Sequence, residues 1–209
     1  MAIESEIKYT VPDKALFDTI KSLSEIACYR SVDRGTAQHT DIYFDTSCFR
    51  LYQEKIVLRL RTTVNGSLLT FKAQGPPGEG FLRRIEIETP TDSTAEDIVR
   101  GRIPDIPPFE ALYERIGVVN LSQSLRVIND RHTILLKRGE EAHYELVLDD
   151  VTFCGQKGTR EILELEVESL IGVDDDLRRI GQWLEEQFDL KPAGPSKYIL
   201  GMELVGGIM

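Results

Sequence analysis

The chain has 209 residues, 41% of them hydrophobic and 29% charged, with 25 Lys and Arg against 35 Asp and Glu and a formal net charge of -10. This length and apolar content suit one domain with a core of its own, and the acidic excess disfavours a nucleic-acid backbone or an anionic membrane as partner while leaving a local basic pocket open. No stretch approaches about 18 consecutive apolar residues, and Met1-Ala2-Ile3-Glu4 is acidic where a signal peptide is basic and then apolar, so a cytoplasmic address is expected.

Three cysteines, Cys28, Cys48 and Cys154, stand in no CxxC spacing. They read as structural thiols rather than a disulfide framework or zinc knuckle. In chain order, alternating apolar and polar residues predict strands near 2–11, 37–46, 55–64, 67–75, 80–89, 121–137, 142–153 and 160–170. Pro12-Asp13 opens a helix carrying Leu16, Ile20 and Leu23, and Asp174 caps another carrying Leu177, Ile180, Leu184 and Phe188. Trp183 belongs to that packing face. The segment 74–80, Gln74 to Gly80, reads as a hairpin connection or a lid. Residues 93–117, interrupted by Ile103-Pro104-Asp105-Ile106-Pro107-Pro108, read as a helical insertion within a single domain spanning 1–209, because strand patterns resume after it.

The charges in these strands fall at every second position. Glu4, Glu6 and Lys8 leave one side of their strand; Arg59 and Arg61 oppose Leu58 and Leu60; Arg84, Glu86 and Glu88 oppose Ile85 and Ile87; Glu164, Glu166 and Glu168 form a row of three. One reading is an antiparallel sheet with a solvated charged face. The other is a closed barrel whose aliphatic face lies under helices and whose charged face lines a wet interior, since unpaired ions in a dry core cost several kcal/mol each. A ligand that uses both signs of charge is a polyanion carrying a divalent metal.

Eight ordered segments resemble the CYTH superfamily, the triphosphate tunnel metalloenzymes: Glu4-x-Glu6-x-Lys8, Ile42-Tyr43-Phe44-Asp45-Thr46, Leu58-Arg59-Leu60-Arg61, Thr70-Phe71-Lys72, Arg84-Ile85-Glu86-Ile87-Glu88, Leu148-Asp149, Glu164-Leu165-Glu166-Val167-Glu168 and Ser196-Lys197-Tyr198. The resemblance implies a mainly β, α+β fold: a closed eight-stranded antiparallel barrel with packing helices outside. It also implies divalent-metal chemistry on triphosphates. The layout is most similar to the bacterial inorganic triphosphatases. One departure is the strand Arg126-Val127-Ile128-Asn129-Asp130-Arg131-His132, which is poorer in basic residues than in many members and carries over only Arg126 and Arg131.

On this resemblance Glu4, Glu6, Glu164 and Glu166 offer hard oxygen ligands to Mg²⁺ or Mn²⁺, with Glu168 or Asp149 completing a second site. Lys8, Arg59, Arg61, Lys72, Arg84, Arg126, Arg131 and Lys197 grip phosphate oxygens. Lys8, Glu86 and Glu88 are the candidates nearest the chemistry, the two glutamates either orienting cations or taking a proton from the attacking water. His39, His132 and His143 have no motif partners and are set aside as exposed or incidental. No GxSxG, Cys/His or P-loop motif occurs. The expected activity is hydrolysis of a small triphosphate, inorganic triphosphate first, with thiamine triphosphate, a class IV adenylyl cyclase reaction and a non-catalytic anion-binding module as alternatives. Neither a nucleic acid nor a membrane is expected as partner, and the chain is expected as a monomer or homodimer.

Overall fold

The computed structural model describes residues 2–74, 82–193 and 195–206, with side chains at all of these positions except 2–4 and 82–84. Among the described residues ten antiparallel strands make one sheet: β1 (Ala2–Val11), β2 (Glu25–Ile26), β3 (Tyr29–Asp45), β4 (Val57–Thr63), β5 (Gly66–Gln74), β6 (Leu82–Thr91), β7 (Ser122–Arg138), β8 (Glu141–Gly155), β9 (Gly158–Ser169) and β10 (Lys191–Pro192). The count exceeds the expected eight because β2 and β10, each two residues long, are too short to show periodicity. β3 also begins eight residues before the predicted start at 37. The helices are α1 (Lys14–Lys21), α2 (Arg50–Gln53), α3 (Ala95–Val99), α4 (Pro107–Ile116), α5 (Asp174–Phe188) and α6 (Lys197–Val205).

Strand order runs β10-β1-β6-β5-β4-β3-β7-β8-β9, and β1 additionally pairs with β9. Along β1, Ala2–Glu6 faces β6 and Glu6–Val11 faces β9. β5 and β6 are antiparallel neighbours out to Gln74 and Arg84, which fits a hairpin; residues 75–81, where the sequence allows a lid, lie outside the described residues.

The aliphatic halves of the strands bury against helices, which is where hydrophobic burial stabilises the fold. Tyr9, Leu146, Leu165 and Val167 pack with Phe17 and Ile20 of α1 and Leu177, Ile180 and Leu184 of α5. Asp13 caps α1 by accepting the Leu16 N–H at 2.8 Å, as its position before the apolar face predicts. The N-cap of α5 is Val173, not Asp174, which is the first helical residue; with Asp175 and Asp176 it puts three acids in the first turn, where they favour the helix dipole. Leu58, Leu60, Leu69 and Phe71 pack with Ile98 of α3 and Phe109 and Leu112 of α4, so the insertion covers this face and belongs to the domain core. Trp183 meets Phe188 edge to face and packs against the same core as α5.

α6 differs from the others. Its Tyr198, Met202 and Val205 pack on Tyr43, Val57, Leu125, Val127, Val151 and Phe153, which share strand parity with Asp41, Arg59, Arg131 and Asp149. The helix therefore sits on the charged face. It can lie that close because Gly201 has no side chain: a Cβ there would stand 2.5 Å from Leu125 and 2.7 Å from Phe153. The cysteines are free, but Cys28 and Cys48 are exposed rather than packed in the core. Among the described residues no helix is long and apolar enough to cross a membrane.

Candidate active site

Next to α6 the charged face encloses a cavity of about 720 Å³. Its wall includes Glu6 and Lys8 of β1, Arg59 and Arg61 of β4, Lys72 of β5, Glu86 and Glu88 of β6, Arg131 of β7, Glu145 of β8, Glu166 and Glu168 of β9, and Lys197 of α6. Among the described residues that is six carboxylates facing six cations. Asp41, Asp149 and Glu164 are buried immediately behind them and hydrogen-bond or ion-pair with the cavity cations.

On one side, strands β1, β7, β8 and β9 converge with α6. Lys197 Nζ lies 2.8 Å from Asp149 Oδ2, 2.6 Å from Glu164 Oε2 and 2.8 Å from Glu166 Oε1. Lys8 Nζ is 2.5 Å from the same Glu166 oxygen. Arg131 donates through Nε and Nη2 to the two oxygens of Asp149 at 2.7 and 2.6 Å, and Nη2 also reaches Glu166 Oε2 at 3.0 Å. Burial alone would push the Asp149 and Glu166 carboxyls up; Arg131 and Lys197 outweigh it at Asp149, and Lys197, Lys8 and Arg131 at Glu166, so both are held well below the usual carboxylate range. Burial likewise opposes the Lys197 charge, and Asp149 and Glu166 raise its pKa well above the ordinary value.

On the other side, β3 to β6 present a guanidinium fork. Arg61 donates to both oxygens of Asp41 at 2.7 and 2.8 Å, and Arg59 Nη1 stands 3.7 Å from Asp41 Oδ2. Asp41 is fully buried; burial would raise its pKa, but Arg59 and Arg61 hold it well below the ordinary value. Arg59 Nη2 also donates to Thr70 Oγ1 at 3.1 Å, and that hydroxyl donates to Glu88 Oε2 at 2.8 Å. Lys72 pairs with Glu86 at 2.9 Å.

Asp149, Glu164 and Glu166 each offer an oxygen within 4.8 Å of the others. Glu164 is 1% exposed, and its Oε1 has no hydrogen-bond partner among the described residues. Three hard oxygens from two adjacent strands and a buried unsatisfied acceptor fit a divalent cation.

Most of the expected site residues thus meet. Glu6, Lys8, Arg59, Arg61, Lys72, Glu86, Glu88, Arg131, Glu166, Glu168 and Lys197 line one cavity, and Asp149 and Glu164 stand behind Lys197. The side chains of Glu4 and Arg84 lie outside the described residues. Arg126 does not join: it is exposed, and in the unbroken β7 it has the opposite parity to Arg131. The histidines also depart from expectation. His39 and His132 are buried, at 6% and 2% exposure, and His39 Nε2 lies 3.2 Å from Asn129 Nδ2 beside the arginine fork. Burial, with Arg61 adding to it, pushes the His39 pKa down to about 4. Asp41 and Glu145 were missed. Asp41 shares parity with Tyr43, and Glu145 with Asp149, so alternation was the available signal. Asp45, quoted only as part of a motif, accepts the Leu51 and Tyr52 N–H groups and the Tyr198 hydroxyl, the last at 2.5 Å, tying α6 to the end of β3.

A family profile described as CYTH domain matches residues 2–197. The chain belongs to the CYTH domain family. No curated protein sequence matches it. Among solved structures, the CYTH chain is similar to a Hippeastrum protein described as an adenylyl cyclase by provisional name with a dominant triphosphatase activity, at 19% identity over 97% of this chain and 96% of that one, TM-score 0.72. It is also similar to a provisionally named adenylate cyclase from Bacillus halodurans, at 18% identity over 96% and 98%, TM-score 0.69. The RNA triphosphatase domain of a mimivirus mRNA capping enzyme is more distant, at 11% identity over 87% and 88%, TM-score 0.51. At these identities the likeness is one of fold.

Proposed function

We propose that this CYTH protein hydrolyses inorganic triphosphate to diphosphate and phosphate with Mg²⁺ or Mn²⁺, inside a tunnel made by β1, β6, β5, β4, β3, β7, β8 and β9 closing as an eight-stranded barrel. The pairing of β1 with β6 through its first half and β9 through its second supports the closure. The observation that carries the activity is the cavity's mixture of charge: among the described residues its six cations face six wall carboxylates, with Asp41, Asp149 and Glu164 buried behind them. A polyanion entering alone would meet that acid unneutralised, whereas a triphosphate bearing a divalent cation supplies both charges the wall accepts.

In this reading Arg59 and Arg61, held by Asp41, bind phosphate oxygens bidentately, with Lys8, Lys72, Arg131 and Lys197 supplying point and fork charges along the chain of phosphates. Phosphoryl transfer needs charge neutralisation and in-line placement more than covalent help. Glu6, Asp149, Glu164, Glu166 and Glu168 would hold the metal, which supplies Lewis-acid neutralisation of phosphoryl charge and a more acidic bound water. Glu88, set by Thr70, and Glu86, set by Lys72, face the cavity as acceptors for the proton of attacking water. Lys8 carries only donors and so acts as a charge, not a base.

The Hippeastrum description, with its dominant triphosphatase activity, favours hydrolysis over cyclisation as the first assay. Product analysis with inorganic triphosphate, ATP and thiamine triphosphate, each in Mg²⁺ and in Mn²⁺, tests it. The cavity wall has no aromatic pair flanking a base site among the described residues, since Tyr43 and Tyr198 stack on each other. We therefore expect kcat/KM for inorganic triphosphate to exceed that for ATP by at least about tenfold, or about 1.4 kcal/mol. Cyclic AMP as the main product from ATP would overturn the assignment and favour the cyclase.

A further inference from the structure

One ammonium group stands where a divalent cation would. Lys197 touches all three carboxylates whose oxygens cluster within 4.8 Å, and among the described residues no other cavity cation does so: Lys8 reaches Glu166 at 2.5 Å but Glu164 only at 3.9 Å, and Arg131 grips Asp149 and Glu166 from the side. An ammonium centred on one oxygen from each residue leaves Glu164 Oε1 buried without a hydrogen bond among the described residues. A metal ion takes such oxygens at about 2.1 Å, inside the space the ammonium fills, and like charges repel at that range. The two cannot take the same three oxygens at once.

Lys197 is also not what anchors its helix. It is the first residue of α6, whose backbone is held by the Ser196 cap, the Tyr198–Asp45 hydrogen bond and the close seat of Gly201, while its Nζ rides on a four-carbon stem at the cavity wall. We propose that Lys197 and a divalent cation occupy the Asp149, Glu164 and Glu166 carboxylates in turn: the ammonium holds the three together in the metal-free protein, and metal entry sends it into the cavity, where it meets the phosphate chain. This rests on the metal-dependent reading above and deepens it, because it gives Lys197 two opposed effects. Its charge competes with metal and assists triphosphate.

The test is a substrate-free Mn²⁺ titration of the full chain, followed by the electron paramagnetic resonance signal of free Mn²⁺, on the parent, Lys197→Met, Lys197→Gln and the control Lys72→Met. Lys72 is a cavity cation of β5 paired with Glu86 of β6, on the other side of the cavity, so it reports the general effect of deleting one positive charge. Both Lys197 variants are expected to bind Mn²⁺ at least tenfold more tightly than the parent and the Lys72 control no more than about twofold more tightly; circular dichroism checks the fold, and a variant that folds only when Mn²⁺ is added counts as the same result. Parent-like Mn²⁺ affinity in both Lys197 variants, or a gain no larger than in the control, overturns the exchange alone. Absence of Mn²⁺ binding in the parent and in every variant overturns the metal reading beneath it.

Discussion

The two sides of the cavity are built on opposite plans. Where β1, β7, β8 and β9 meet α6, carboxylates are shared: Glu166 alone takes Lys8, Lys197 and Arg131. Where β3 to β6 meet, the buried Asp41 serves two arginines and fixes their direction. The first arrangement can trade one cation for another at little geometric cost, because Glu166 Oε1 and Asp149 Oδ2 each already have two competing cations. The second cannot, because a bidentate fork has one good geometry. On the proposed function, the shared side handles metal and the fixed side reads phosphate.

The most damaging change is expected on the shared side. Glu166→Gln removes a partner from three cations at once, and kcat/KM for inorganic triphosphate should fall about thousandfold, or about 4 kcal/mol, in both Mg²⁺ and Mn²⁺; activity near the parent level would return Glu166 to a purely structural role.

The next effect sharpens the fixed side through pH. His39 is neutral when folded, with its pKa pushed from 6.5 to about 4 by burial and Arg61. Unfolding therefore takes up a proton between those values, so this contribution is fully present above pH 6.5 and falls away as pH drops towards 4. The full shift corresponds to a loss of about 3 kcal/mol, and denaturant melts at pH 7 and pH 4.5 should show most of it in the parent and little of it in His39→Gln. An equal slope in both proteins would show that another group carries the acid sensitivity.

Arg61→Ala should weaken binding of a non-hydrolysable triphosphate analogue by about 1.5 to 3 kcal/mol, the range for hydrogen bonds to charged groups, as read by calorimetry. Asp41→Asn keeps both arginines but frees them to turn; KM is expected to rise about tenfold, about 1.4 kcal/mol, with kcat changing less, and an unchanged KM would mean the fork holds its direction without the carboxylate. At the small end, Arg126→Ala on the outer face should leave stability within about 0.5 kcal/mol and turnover at the parent level, measured by melts and phosphate release; a large loss of turnover would place phosphate recognition outside the cavity.

Much of this is legible in the sequence alone. Period-two alternation assigns Glu6 with Lys8, Arg59 with Arg61, and Glu164 with Glu166 and Glu168 to common faces, because successive side chains in a strand leave opposite sides. The same arithmetic excludes Arg126: it is five residues from Arg131, so an unbroken strand puts them on opposite faces, and only the family resemblance places it in the set. Asp13 as a cap and the apolar stripes of α1 and α5 follow from local chemistry. What alternation cannot supply is which faces meet. The register that sets Arg131 opposite Asp149 and Asp149 opposite Glu164, and Asp41 opposite Arg61, joins residues distant in the chain. Local pattern carries no record of that pairing, and β2, β10 and α6 form only because longer elements give them a surface to pack on. The conversion of Lys197 from one basic residue near the end of the chain into a cation centred on three carboxylates is likewise a tertiary event. It depends on Gly201 letting α6 settle on the charged face and on the Tyr198–Asp45 hydrogen bond fixing its depth, since buried charge is tolerated only where strands brought together by the fold supply its partners.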